Sequence, residues 1–310
     1  MPDLLKAILL GIVEGVTEFL PISSTGHLLL CQRWMGIDLE SGFWNMFAVF
    51  IQIGAIAAVA VYFRSRILEL LRGPPDRQLT PLEISASARK PVTSAVAAAG
   101  PAGVHDAGVL ADDAPVTAAQ RGHTLMMIAL ASTPLVVAFF ADEWAEKHMT
   151  QPWVIAAALI VGGVVMGVIE LLPLNVTTSR IERITWKQAL GIGAAQVLAA
   201  LFPGTSRSAA TIMAGLVAGL SRPAAAEFSF FLAIPAMGAA CAYKLLKFLK
   251  QGTPPAHQML LLIIGTLVSF LVAWAVIAVF MGYIRRHNFL PFAAYRVVLG
   301  LVVLWLVRGG

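Results

Sequence analysis

The chain has 310 residues, of which 58% are hydrophobic and 13% charged, and its formal net charge is +5. A soluble domain carries about 25% charged residues to keep its surface wet, so most of this surface must face lipid. The basic residues sit at the ends of apolar runs and are not interleaved with exposed aromatics, a pattern that suits an anionic lipid surface better than nucleic acid.

Residues 4–20 form a first apolar segment that stops at Pro21. Lys6 and the run 7–13 resemble a secretory leader, but Glu14 and Glu18 interrupt it and no small-residue cleavage site follows, so it reads as mature structure. A second segment, 28–35, is too short to span a bilayer. With the polar turn 21–27 the two read as half-helices of a re-entrant hairpin, tolerated at membrane depth only when packed inside protein or lining a cavity. A full span is expected over 44–63, closed by Arg64 and Arg66. Residues 73–121, rich in Ala, Pro, Gly and Ser, lack apolar periodicity and read as a mostly disordered loop. Spans follow at 123–141 and 152–172. A second broken element covers 188–202, the turn 203–208 and 209–220. Spans at 227–249, 259–283 and 291–307 close the chain, each near the ~20 apolar residues a crossing helix needs. The two cysteines, Cys31 and Cys241, lie in apolar stretches and read as reduced buried thiols.

The two broken elements are copies of each other. Pro21 lies seven residues after Glu14, and Pro203 seven after Gln196. An offset of 182 (21 to 203) pairs PISSTG with PGTSRS, and one of 181 (47 to 228) pairs Phe47, Phe50, Ile53 and Tyr62 with Phe228, Phe231, Ile234 and Tyr243. Repeats built around discontinuous helices mark membrane folds that bind their ligand where the repeats meet. The expected fold is therefore an all-α polytopic membrane protein, with six full transmembrane helices plus two re-entrant helical hairpins in an inverted repeat. Its expected parts are 1–72, 73–121, 122–186, 187–250 and 251–310.

Charge sets the expected orientation. Arg64, Arg66, Arg72, Arg77, Arg89, Lys90 and Arg121 place the first long loop in the cytoplasm, and Arg180, Arg183 and Lys187 do the same for the later one. Residues 142–151 carry Asp142, Glu143 and Glu146 against Lys147 and face out, as do both termini. Lys244, Lys247 and Lys250 fall at an outer helix end and disagree with the rule.

Glu14 and Glu18, four apart in an apolar helix, project from one face. Carboxylates at membrane depth are costly and usually functional. As like charges they repel, so either one keeps its proton for acid–base chemistry or a cation sits between them. Ser23, Ser24, Thr25 and His27 open the next half-helix; capping accounts for one hydroxyl, and the N-terminus with its free N–H groups is a ready anion site. Thr205, Ser206 and Arg207 supply a second such terminus with a guanidinium suited to bidentate pairing with phosphate. Together these parts make a phosphoryl-transfer site. Ser24 is the expected nucleophile, its proton taken by a carboxylate or His27; direct attack by His27 or by water are the alternatives. Glu170 reads as a solvated span end, and Asn45, Gln52, Gln196 and Glu227 as interhelical hydrogen-bonding residues.

Residues 14–27, EGVTEFLPISSTGH, and 203–208, PGTSRS, closely resemble the two signature segments of bacterial undecaprenyl-diphosphate phosphatases of the bacitracin-resistance type. The resemblance runs through nearly the whole chain, including 47–54. The 73–121 insert is longer than the family pattern, and Ala209 stands where the family commonly has Gly. The resemblance implies dephosphorylation of the C55 lipid carrier diphosphate, which recycles the carrier for peptidoglycan synthesis and confers bacitracin resistance. The implied catalytic residues are Glu14, Glu18, Ser24, His27 and Arg207, with Ser23, Thr25, Thr205 and Ser206 around the substrate. A divalent cation, Mg2+ or Ca2+, is implied, and Glu14 and Glu18 are its expected ligands. The implied partners are a polyprenyl diphosphate lipid and membrane lipids, with a homodimer left open. The implied location is the bacterial inner membrane, with the site facing the periplasm. A lipid-phosphate transporter or flippase on the same inverted repeat is the competing expectation, because half-helix dipoles can hold a phosphate without cleaving it. A pure carrier would not need a carboxylate pair beside candidate nucleophiles, which favours the enzyme.

Overall fold

A computed structural model describes residues 1–38, 42–72, 117–137, 151–250 and 254–308, and among these the regular structure is helical apart from one isolated bridge between Thr178 and Leu220. In chain order the helices are α1 (Asp3–Thr17), α2 (Ser24–Trp34), α3 (Gly42–Tyr62), α4 (Arg64–Arg72), α5 (Ala118–Ser132), α6 (Pro152–Leu171), α7 (Trp186–Leu201), α8 (Arg207–Val217), α9 (Arg222–Leu249), α10 (Ala256–Ile284) and α11 (Leu290–Arg308). Five of them, α3, α6, α9, α10 and α11, are long and apolar enough to cross a membrane. Their outward faces carry exposed Val161, Ile263, Val279, Leu301 and Trp305, as lipid contact requires. Most of the 73–121 insert, and the acidic charges of 142–150, lie outside the described residues.

Local chemistry sets several ends. Thr117 with Gln120 and Thr185 with Gln188 form capping boxes that start α5 and α7. Pro152 and Pro223 stand in the first turns of α6 and α9, where a missing N–H costs nothing. The segment expected to span 123–141 is helical to Ser132, turns at Thr133 and Pro134 and is helical again over 135–137, and 138–141 lie outside the described residues. Residues after Tyr62, expected only to close the span, form α4 instead.

α4 is pinned by charge. Arg66 pairs with Glu69 at 3.0 Å, Glu227 at 3.4 Å and also with Glu182, while Arg180 meets Glu182 at 3.3 Å. Burial opposes the charge on Arg66, but the carboxylates of Glu227, Glu182 and Glu69 hold its pKa above the ordinary value. Glu227 is thus an ion-pair member. Glu170, expected to be solvated, has a side chain only 1% exposed and pairs with Arg222.

The helices pack in matched pairs. α1 lies along α10, and its repeat counterpart α7 lies along α5; α3 packs on its counterpart α9, and α6 on α11. Small residues make the close approaches. A Cβ on Gly11 of α1 would stand 2.6 Å from the Gly265 carbonyl oxygen, and one on Gly193 of α7 would collide with the Ala131 carbonyl. Gly11 and Gly193 are 182 residues apart, the offset of the two turns. Phe47 and Phe228, the aromatic pair at offset 181, are both fully buried.

Candidate active site

Both broken helices restart through the same strained backbone. Ser23 (φ 75°) caps α2 and Ser206 (φ 69°) caps α8, and they are the only non-glycine residues with positive φ among those described. Left-handed geometry at a non-glycine residue persists only where the surroundings enforce it, and such residues cluster at functional sites. The Ser23 hydroxyl accepts from the Gly26 N–H at 3.4 Å and the Ser206 hydroxyl from the Ala209 N–H at 3.3 Å. The caps are offset by 183 rather than 182, so the first helical residues, Ser24 and Arg207, are structural equivalents.

Those two residues converge on one carboxylate. The Ser24 hydroxyl donates to Glu18 Oε2 at 2.5 Å, and Arg207 Nη2 donates to Glu18 Oε1 at 3.4 Å. Arg207 is held from two more sides, with Nη1 on the Ser229 carbonyl at 3.2 Å and the guanidinium carbon 5.7 Å from the Phe19 ring centroid. Ser208 donates to the Leu20 carbonyl at 2.9 Å, tying the second restart to the first turn. Glu18, Ser23, Ser24, Thr25, Ser206 and Arg207 line one cavity of about 210 Å³.

The other expected residues fall elsewhere. Glu14 is fully buried beside this cluster, and neither of its carboxylate oxygens has a hydrogen-bond partner among the described residues. Thr205 faces an apolar groove of about 770 Å³ between α6, α7 and α8. His27 does not join the cavity lining. Its Nδ1 lies 2.7 Å from the Ser23 carbonyl oxygen and its Nε2 2.7 Å from the Tyr295 hydroxyl, and the two rings stack. Ser24 and His27 stand three apart on α2, but their side chains take different partners, the Ser24 hydroxyl reaching back across the turn to Glu18 while the imidazole leans on α11.

One residue escaped the sequence reading, and another has a setting different from the one expected. Arg296 of α11 is fully buried, with Nη1 on the Pro21 carbonyl at 3.3 Å and Nη2 on the Gly204 and Ala158 carbonyls at 3.1 and 3.3 Å. It joins both broken turns to α6, and Gly162 leaves the room its guanidinium fills. A lone Arg within the apolar run 291–307 was the available signal. Gln196 also lines the cavity, and neither of its amide atoms is paired among the described residues, so it does not perform the interhelical bonding expected of it. Gln52 lines the same cavity, and its side-chain oxygen lies 3.7 Å from the Cys241 sulfur; Cys241 and Cys31 are both free thiols.

The residues fit a divalent cation in one specific way. Hard cations take carboxylate oxygens, and Mg2+ commonly uses one or two carboxylates with substrate phosphates completing its shell. The unpaired Glu14 carboxylate next to Glu18 meets that need, although no group of three or more His, Cys, Asp or Glu is placed to hold a metal ion among the described residues.

Fold and site together define a class: multi-pass helical membrane proteins in which two interrupted helices bring a hydroxyl and a guanidinium to a shared carboxylate. The chain belongs to the family described as bacitracin resistance protein BacA, whose sequence model matches residues 7–302. It is 39% identical to an undecaprenyl-diphosphatase of Koribacter versatilis over 98% of each chain. It is also 39% identical to one of Enterococcus faecalis, over 97% of this chain and 96% of that one. A third, from Bradyrhizobium sp. (strain ORS 278), is 38% identical over the same shares, 97% and 96%.

Proposed function

We propose that this protein is a membrane phosphatase that hydrolyses undecaprenyl diphosphate to undecaprenyl phosphate and phosphate, recycling the lipid carrier of peptidoglycan synthesis. The observation behind it is Glu18, which receives the Ser24 hydroxyl at 2.5 Å and the Arg207 guanidinium at 3.4 Å where two helix N-termini meet. A serine hydroxyl is a weak nucleophile until a base takes its proton, and Glu18 is within reach to do so. The Ser24 oxygen forms a bond to the terminal phosphorus, the bond from that phosphorus to the bridging oxygen breaks, and the lipid monophosphate leaves. Water then cleaves the phosphoserine, and the proton held by Glu18 returns to Ser24. Arg207 and the N–H groups at the two restarts neutralise the phosphoryl oxygens throughout. A divalent cation held by Glu14 and Glu18 would add positive charge at the same place. The apolar groove beside Thr205 gives a lipid chain a path away from the polar cavity.

The proposal extends to architecture and orientation. Six crossings, with α5 beginning the sixth, and two hairpins entering from opposite faces account for the paired packing of α1 on α10 and α7 on α5. The cavity then opens to the periplasmic side of the inner membrane, in agreement with Arg64, Arg66 and Arg72 at the inner end of the first repeat. The same symmetry suits a carrier, but the short Ser24–Glu18 hydrogen bond has no task in one. Phosphate release from a polyprenyl diphosphate by the purified protein in detergent tests the reading. Release that a chelator abolishes is expected; substrate that binds and stays intact would favour the carrier.

A further inference from the structure

Gln196 lies on α7 seven residues before the break at Pro203, within the wall of the cavity that Glu18, Ser24 and Arg207 also line. It is 1% exposed, and neither its amide oxygen nor its amide nitrogen has a partner among the described residues. Since both atoms are unpaired, the observation does not depend on which way the amide is turned. Buried amides are almost always hydrogen-bonded, because leaving one unpaired forfeits its interaction with water without replacement. A helix that only had to pack here would gain from Leu or Met at this position. An unsatisfied amide kept in a polar cavity marks a ligand contact.

The chemistry of that ligand follows from the neighbours. The cavity already holds the Arg207 guanidinium and the Ser23, Ser24 and Ser206 hydroxyls, a set of donors suited to an anion. The repeat counterpart of Gln196 is Glu14, which likewise stands seven residues before its proline. A carboxylate at both positions would set three acidic groups against a diphosphate. An amide at the second keeps the size of the side chain, removes the charge and adds two N–H donors.

We propose, building on the phosphatase reading above, that Gln196 is a substrate-binding residue whose amide donates to a non-bridging oxygen of the diphosphate lying between Ser24 and Arg207. The two copies of the repeat are thereby divided in labour, with the first supplying carboxylates and the second neutral and cationic donors. Gln196→Leu removes the donors at nearly constant volume, and Gln196→Glu replaces them with a repelling charge.

Pyrophosphate binding to the full-length protein in detergent, measured by calorimetry, tests this independently of turnover. Gln196→Leu should weaken binding about tenfold and Gln196→Glu more than that, the scale of one hydrogen bond to a charged group. The Leu protein should melt at or above the wild-type temperature, because it no longer buries an unpaired amide. A merely structural amide would give the opposite, a lower melting temperature with unchanged pyrophosphate affinity. Equal affinity in wild type and Gln196→Leu, or no binding to the wild type, overturns the proposal. Should Gln196→Leu fail to fold, Gln196→Met carries the same comparison. A wild type that binds pyrophosphate but releases no phosphate from polyprenyl diphosphate contradicts the phosphatase reading and leaves this contact standing.

Discussion

Glu18 receives one donor from each broken helix, so the residues around it can be separated by what each substitution leaves behind. Arg207→Lys keeps a positive charge but loses the planar fork, and should lower kcat/KM by roughly 100-fold. Near-normal kinetics in a folded Lys variant would remove Arg207 from the site. Glu14, with both oxygens unpaired among the described residues, is the group most open to sharing a cation. Glu14→Gln should raise the Mg2+ or Ca2+ concentration needed for half activity, by roughly tenfold on the scale of lost ligand contacts. Lost activity with unchanged metal dependence would assign Glu14 to acid–base work instead. Much of this cluster was legible in the sequence, because acidic and basic residues in apolar runs are conspicuous. The facing of His27 was not, because helical spacing says nothing about the Tyr295 hydroxyl from a helix 268 residues away that takes its Nε2.

At the scale of elements, the breaks at Pro21 and Pro203 were readable from proline and hydroxyl residues, and their equivalence from a constant offset. The exact correspondence was not readable, because the second turn has one more residue between its proline and its cap, Gly204, whose φ of 100° few other residues would accept. A Cβ there would also stand 2.7 Å from the Ile155 carbonyl oxygen. The helix contacts make a sharper prediction. Gly193→Ala forces a methyl into the Ala131 carbonyl and should destabilise by about 1–3 kcal/mol, whereas Gly191→Ala, with open space around it, should be neutral or slightly stabilising. Denaturant unfolding in detergent measures both; equal effects would contradict the close packing of α7 on α5. The turn at Thr133 and Pro134 went unforeseen because it is a mild break within a run whose average hydropathy is high.

For the whole molecule, hydropathy made the membrane reading secure, and loop charge gave an orientation that can be checked directly. In a background lacking Cys31 and Cys241, a cysteine placed within 142–150 should react with an impermeant thiol reagent added to intact cells, and one within 77–90 should not. The reverse pattern would put the cavity on the cytoplasmic side. In the proposed reaction the junction of the two repeats is the reaction centre, with Ser24 forming the bond to phosphorus. Rapid quenching of the purified protein with polyprenyl diphosphate labelled in its terminal phosphoryl group, followed by mapping of the label, tests it most directly. An acid-stable, base-labile phosphoryl group is expected on Ser24 and should be absent from Ser24→Ala. An acid-labile, base-stable adduct on His27, or bound substrate recovered intact with no phosphate released, would contradict it.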